Sequence, residues 1–281
     1  MNKSNARCAQ AVLSVLLLSV LGQSAARAAL VYAVGTGHDS GVYTADFGSG
    51  TVSELFGTAK MKWADAADGD ARHPNTFYAT ANNAKSLYRV DVVDETVTAV
   101  GSYGGAHIKG LAYDAKRDIL YGTDYKKLYT IDILPSSDSE GAATLIGKFK
   151  KSGKAELFNY DALTDELVVM TKAGGKTRTY TIDRDTGEAE FAGFGCGALI
   201  SDIWYDADSG EMFGIGSGLP DQGGLYRIDV ATGELVQIGS TEYDLLGLGR
   251  PQAVPEPATI VLLCLGGITI VRRKIKSGAT S

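Results

Sequence analysis

The chain has 281 residues, 44% of them hydrophobic, with 27 Lys and Arg against 33 Asp and Glu. That is enough apolar material for one full core, while 35 glycines and the lack of a sustained helical period exclude a helical bundle and favour strands joined by many turns. The acidic excess repels nucleic acid on average, so no nucleic-acid partner is expected.

The amino terminus reads first as an address. Lys3 and Arg7 precede an apolar run over 11–21, and Ala26-Arg27-Ala28 gives a small-x-small cleavage site, so 1–28 is predicted to be a secretory signal peptide. The run is shorter than the ~20 residues that span a membrane. The remaining chain divides into a domain over 29–250 and a tail over 251–281. The domain alone holds 20 basic and 32 acidic residues, about −12.

Within the domain one phrase returns five times: Val42-Tyr43-Thr44-Ala45-Asp46, Leu87-Tyr88-Arg89-Val90-Asp91, Leu128-Tyr129-Thr130-Ile131-Asp132, Thr179-Tyr180-Thr181-Ile182-Asp183 and Leu225-Tyr226-Arg227-Ile228-Asp229. A period of roughly 40–50 residues marks a repeat architecture. Alternating apolar and polar residues predict a half-buried strand. The Asp is expected to accept backbone N–H bonds in a hairpin that a following Gly closes at positive φ.

A second strand precedes each phrase at 31–34, 77–80, 120–123, 167–170 and 212–215, and a further strand is expected at 63–65, 111–114, 158–161 and 203–206. With one strand after the hairpin, each unit has four antiparallel strands, the anatomy of a propeller blade. The first unit lacks its leading strand, and 243–249 is left over after the fifth. The fold class predicted is therefore all-β: a five-bladed β-propeller of four-stranded antiparallel blades, closed by a C-terminal strand and flanked by a signal peptide and a C-terminal hydrophobic helix. A sixth blade would need strands hidden in 133–142 or 148–156. The repeat lacks the Trp-Asp and Gly-His signature of WD40 arrays.

Candidate chemistry is sparse. Lys126, Lys127, Lys148, Lys150, Lys151, Lys154, Lys172 and Lys176 gather in loops of blades three and four. They read either as a solvated rim or as a site for an anionic polymer such as an acidic polysaccharide. Glu156, Asp202 and Asp244 lie near the starts of inner strands and are the alternative, as acid and base of a propeller glycoside hydrolase or lyase, although their register against the repeat is unequal. Asp65-Ala66-Ala67-Asp68-Gly69-Asp70 and Asp206-Ala207-Asp208-Ser209-Gly210 lack the Glu that ends an EF-hand loop and read as turns. His38, His73 and His107 are too scattered for a metal cluster, so neither metal nor cofactor is expected. Cys196, in a glycine-rich bend, reads as a buried thiol without a partner. The recurring tyrosines read as packing.

The tail carries Pro255-Glu256-Pro257, an apolar stretch over 260–271 and Arg272-Arg273-Lys274. This order and position resemble the PEP-CTERM sorting signal. The resemblance covers the tail alone. It implies export across the inner membrane of a Gram-negative bacterium, recognition by an exosortase-like enzyme, and delivery to the cell surface or medium, with links to exopolysaccharide and biofilm. As a helix, 258–271 would span only ~20 Å against a ~30 Å hydrocarbon core, which suits a transient membrane anchor. The reading overall is a non-catalytic binding or structural module of the envelope or matrix, with a polysaccharide or surface protein as partner.

Overall fold

A computed structural model describes residues 30–249, leaving out 37–39, 62–63, 70–72, 74, 82–84, 150–154, 163, 174–175, 198–199, 207–209, 220–221 and 230–233. Twenty strands form five antiparallel sheets of four. Blade one holds β1 (Leu30–Gly35), β2 (Gly41–Asp46) and β3 (Thr51–Gly57), with β20 (Leu245–Gly249) as its inner strand. Blade two is β4 (Ala66–Gly69), β5 (Thr76–Ala81), β6 (Ser86–Asp91) and β7 (Thr96–Ser102). Blade three is β8 (Gly110–Asp114), β9 (Ile119–Thr123), β10 (Lys127–Ile131) and β11 (Ala143–Lys148). Blade four is β12 (Ala155–Asp161), β13 (Glu166–Ala173), β14 (Lys176–Ile182) and β15 (Ala189–Gly197). Blade five is β16 (Asp202–Asp206), β17 (Glu211–Leu219), β18 (Gln222–Ile228) and β19 (Leu235–Thr241). The chain is an all-β, five-bladed propeller.

The punctuation works as the sequence suggests. Asp46 Oδ1 accepts from the Gly48 and Ser49 N–H groups at 2.8 and 3.2 Å, and Gly50 closes that hairpin at φ 71°. Asp183 Oδ1 does the same for Asp185 and Thr186, with Gly187 at φ 69°. All these hairpins lie on one side of the disc, the turn face. The connections between second and third strands, and those between blades, lie on the opposite side, the loop face.

The core is divided among the five seams between neighbouring blades. Each seam holds one of the recurring tyrosines, all buried: Tyr43 between blades five and one, Tyr88 between one and two, then Tyr129, Tyr180 and Tyr226. Repetition therefore serves packing. A second repeated device holds the outer strands. A Cβ on Gly239, Gly101 or Gly147 would fall 2.0, 2.0 or 1.8 Å from the backbone oxygen of Gly50, Glu140 or Thr186, each in the next blade's hairpin. Only glycine allows that approach.

Gly247 and Leu248 of β20 pair with Val34 and Ala33 of β1, so the surplus segment completes blade one, but other expectations are corrected. No sheet, however, is closed: all five are open, with β3, β7, β11, β15 and β19 as free outer edges. The ring is held by seam packing, because hydrogen bonding within a blade runs outward from the centre and ends at the rim. A fold closed by its last strand, with no edges left, is thus not what forms. No helix occurs among the described residues, and the expected flanking helix falls outside them, as does the signal peptide.

The leading strand of blade two is Ala66–Gly69, not 63–65, so most of the segment taken for a turn is the inner strand. Cys196 and its glycines continue β15 instead of forming a bend, and the side chain of Cys196 lies outside the described residues. The 133–142 segment is a long hairpin connection without a strand, which leaves five blades.

Candidate functional site

Of the lysine cluster, Lys126, Lys127 and Lys148 lie on the loop face. Lys127 opens β10 and stands directly opposite Lys148, which ends β11. A tight connection holds them there. Tyr125 adopts φ 76°, its carbonyl accepts from the Ala155 N–H at 2.7 Å, and the Lys126 carbonyl accepts from Phe149 N–H at 2.8 Å. Lys127 Nζ reaches Asp124 Oδ2 at 3.2 Å, and that same oxygen accepts from the Tyr129 hydroxyl at 2.8 Å. Hydrogen bonding to Asp124 holds the Lys127 ammonium above its ordinary range. Lys126 and Lys148 are exposed and make no ion pair among the described residues. Lys150, Lys151 and Lys154 lie outside the described residues, as do the side chains of Lys172 and Lys176, although both residues sit in blade-four strands at this face.

Nearer the axis, Lys109 Nζ meets Asp65 Oδ1 at 2.6 Å, a partly exposed pair joining blades two and three. Asp65 Oδ2 beside it is buried without a hydrogen-bond partner.

The inner strands are laced to one another by polar side chains. Asp68 of β4 accepts from the Tyr113 N–H of β8 at 2.6 Å and from its neighbour Gly69 at 2.6 Å. Asn159 of β12 donates to the Ile203 carbonyl of β16 at 3.1 Å. Asp202 of β16 accepts from the Leu248 N–H of β20 at 2.8 Å and from Ile203 at 2.9 Å. These are staples between blades two and three, four and five, and five and one. Burial dominates both acids and pushes Asp68 up to about 7 and Asp202 well above the usual carboxylate range.

The three carboxylates considered for glycoside hydrolysis stand in different settings. Asp202 is buried, with each oxygen engaged by a backbone N–H. Asp244 is exposed in the link before β20, where its carbonyl accepts from Thr36 N–H at 3.0 Å. The side chain of Glu156 lies outside the described residues. Among the described residues no group of three or more His, Cys, Asp or Glu is placed to hold a metal. The sequence reading took Asp68 for a turn residue and did not single out Asn159. The available signal was register: both replace the apolar or small residue that Ala112, Trp204 and Gly249 supply at the same position of the other inner strands.

The architecture defines the class first: a small five-bladed propeller. A chain of the nidogen–laminin complex superposes with a TM-score of 0.56 at 10% identity, over 79% of this chain and 98% of that one, which shows the fold alone. A putative 6-phosphogluconolactonase from Bacteroides fragilis (TM-score 0.46, 15% identity, 78% and 83% coverage) and TolB from Acinetobacter baumannii (0.44, 11%, 74% and 51%) are more distant. The chain spans about half the length of TolB. No curated protein matches the sequence.

The tail then adds the address. Residues 253–275 match the PEP-CTERM protein-sorting motif, which contains Pro255, Glu256, Pro257, Arg272 and Arg273. The chain carries that motif beside a five-bladed propeller and is an exported, surface-directed protein. No helix among the described residues is long and apolar enough to cross a membrane.

Proposed function

We propose that the propeller is a non-catalytic binding or structural module of the cell surface or extracellular matrix that engages anionic polysaccharide on its loop face. Residues 1–28 act as the leader, 29–250 as the binding domain and 251–281 as the sorting signal, read by an exosortase-like enzyme of a Gram-negative envelope. Contact with the membrane is transient and lies in the tail.

The observation that carries this reading is the pair of unpartnered ammonium groups of Lys126 and Lys148, with Lys127 directly opposite Lys148, in a domain whose charge is otherwise strongly negative. A local field of that sign gathers polyanions, and salt weakens it. Lys150, Lys151, Lys154, Lys172 and Lys176 belong to the proposed site by their place in the sequence. No observation favours a hydrolase: Asp202 is engaged in stapling blades, and Asp244 stands exposed in a link.

The test is cosedimentation of the exported protein with an acidic polysaccharide in low and high salt. Lys126→Glu with Lys148→Glu should lower retention about tenfold or more and flatten the salt dependence. Retention equal to the parent protein would remove the proposal.

A further inference from the structure

On the opposite, turn face, blade two carries a polar pocket lined by Thr76, Arg89, Asp91, Asp94, Thr96 and Thr98 together with His73. Register builds it. Thr76 pairs with Asp91 and Asp91 with Thr96, which makes one row across three strands; Arg89 pairs with Thr98 in the next row. Residues opposite one another, and those two apart on a strand, share a face of the sheet. His73 is fixed through its carbonyl, which accepts from the Thr76 N–H at 2.9 Å and its hydroxyl at 3.2 Å.

The sister blades act as controls. At the position of Arg89 they carry Thr44, Thr130, Thr181 and Arg227. Arg227 has a partner, Glu211 Oε1 at 3.4 Å, from the first residue of its neighbouring strand. Blade two has Thr76 at that equivalent place, and among the described residues Arg89 makes no ion pair or hydrogen bond. A half-buried guanidinium at the wall of a pocket thus keeps its whole planar fork of donors unused. That fork matches a carboxylate by two parallel bonds.

The remaining lining sets the rest of the ligand. Asp91 Oδ1 is occupied by the Val93 and Asp94 N–H groups at 2.9 and 3.0 Å, but its carboxylate still contributes negative charge, as does that of Asp94. A bare anion is repelled by these groups. A ligand offering hydroxyl donors beside its carboxylate satisfies them, and the Thr96 and Thr98 hydroxyls both donate and accept. We propose that this pocket binds a uronic-acid unit, with Arg89 on the carboxylate and Asp91, Asp94 and the threonines on ring hydroxyls. It is a second site on the face away from the lysines, and its ligand class follows from its own residues.

The experiment titrates the full chain with trigalacturonate, followed by calorimetry. The methyl-esterified trisaccharide and a glutamate-containing tripeptide serve as comparison probes. The acid sugar should bind, and the ester and peptide should bind about tenfold more weakly or worse. Thr76→Glu recreates the blade-five pairing and should abolish binding, with circular dichroism showing that the strands are retained. Arg89→Lys should retain charge but lose most of the affinity, and Lys126→Glu with Lys148→Glu should leave it intact. Equal binding of ester or peptide, undiminished binding by Thr76→Glu, or no binding of the acid sugar at millimolar concentration would overturn the assignment. Each of those results leaves the loop-face test standing on its own.

Discussion

The seam between blades three and four and the seam between blades one and two are built on the same repeat but fastened differently. In the first, Arg117 of blade three forks onto Asp165 of blade four at 2.6 and 2.8 Å, while Arg184 of blade four reaches back to Asp114 at 3.3 Å. Lys116 and the Tyr160 hydroxyl also converge on Asp165, and hydrogen bonding from Arg117, the largest influence, holds that carboxyl far below its usual range. Gly147 adds its close approach to Thr186. In the second seam, Tyr32 stacks on Phe77 with ring centres 6.0 Å apart, and Lys60 Nζ donates to the Val97 carbonyl at 2.8 Å. There Glu95 occupies the positive-φ place that Gly50 and Gly187 fill elsewhere, and Phe56 stands at the register position that Gly147 holds in blade three. Sheets in this fold are interchangeable; seams are not.

The strongest way to break the contrast is Gly147→Val. Its branched side chain would collide with the Thr186 backbone, and we expect a loss of about 3 kcal/mol or more, or failure to fold, read by chemical denaturation. In blade one the neighbouring change Gly57→Ala, one residue past Phe56 at that place, faces only the end of the Glu54 side chain and should stay within about 1 kcal/mol.

The next largest effect concerns the inner staple from blade two to blade three. Asp68 keeps its proton to about pH 7 in the folded state, whereas the unfolded chain releases it near the ordinary carboxylate value. The folded form therefore binds more protons in between, and stability falls as pH rises from about 4 to about 7, by on the order of a few kcal/mol. Asp68→Asn keeps an acceptor for the Tyr113 N–H and should flatten that fall. Melting curves across the range that run parallel for both proteins would refute the assignment.

Asp114 tests the charged seam itself. Its carboxylate is fully buried and bonds both Arg117 and Arg184, so Asp114→Ala should cost about 3 kcal/mol in denaturation midpoints. Lys60→Met removes a single hydrogen bond from the simpler seam and should cost about 1 kcal/mol. Similar losses from the two would erase the distinction between the seams.

What could be read from residues alone follows the same division. The hairpin aspartates, the glycines after them and the five tyrosines recur with the period, so alternation and turn chemistry revealed them. The seams depend on which turns meet when the ring forms. Asp114, Asp165 and Arg184 each look like ordinary solvated turn residues until blades three and four stand side by side. Strand β4 was hidden for a related reason: Ala66 and Ala67 have little strand propensity, and Asp68 argues against burial unless the Tyr113 N–H awaiting it is known. The lysine cluster was legible as a run of charge. The pocket at Arg89 was not, because what distinguishes it is a missing carboxylate at Thr76, visible only once Glu211 and Arg227 show the paired version.

Strand exchange in blade one also fixes how the disc hangs. Gly249 pairs with Tyr32 near the start of β1, so β20 runs out on the side where the aspartate hairpins cluster. The sorting motif begins at 253, no more than about 14 Å of extended chain later. Any grip on that motif would hold the domain from its turn face, the side opposite Lys126 and Lys148.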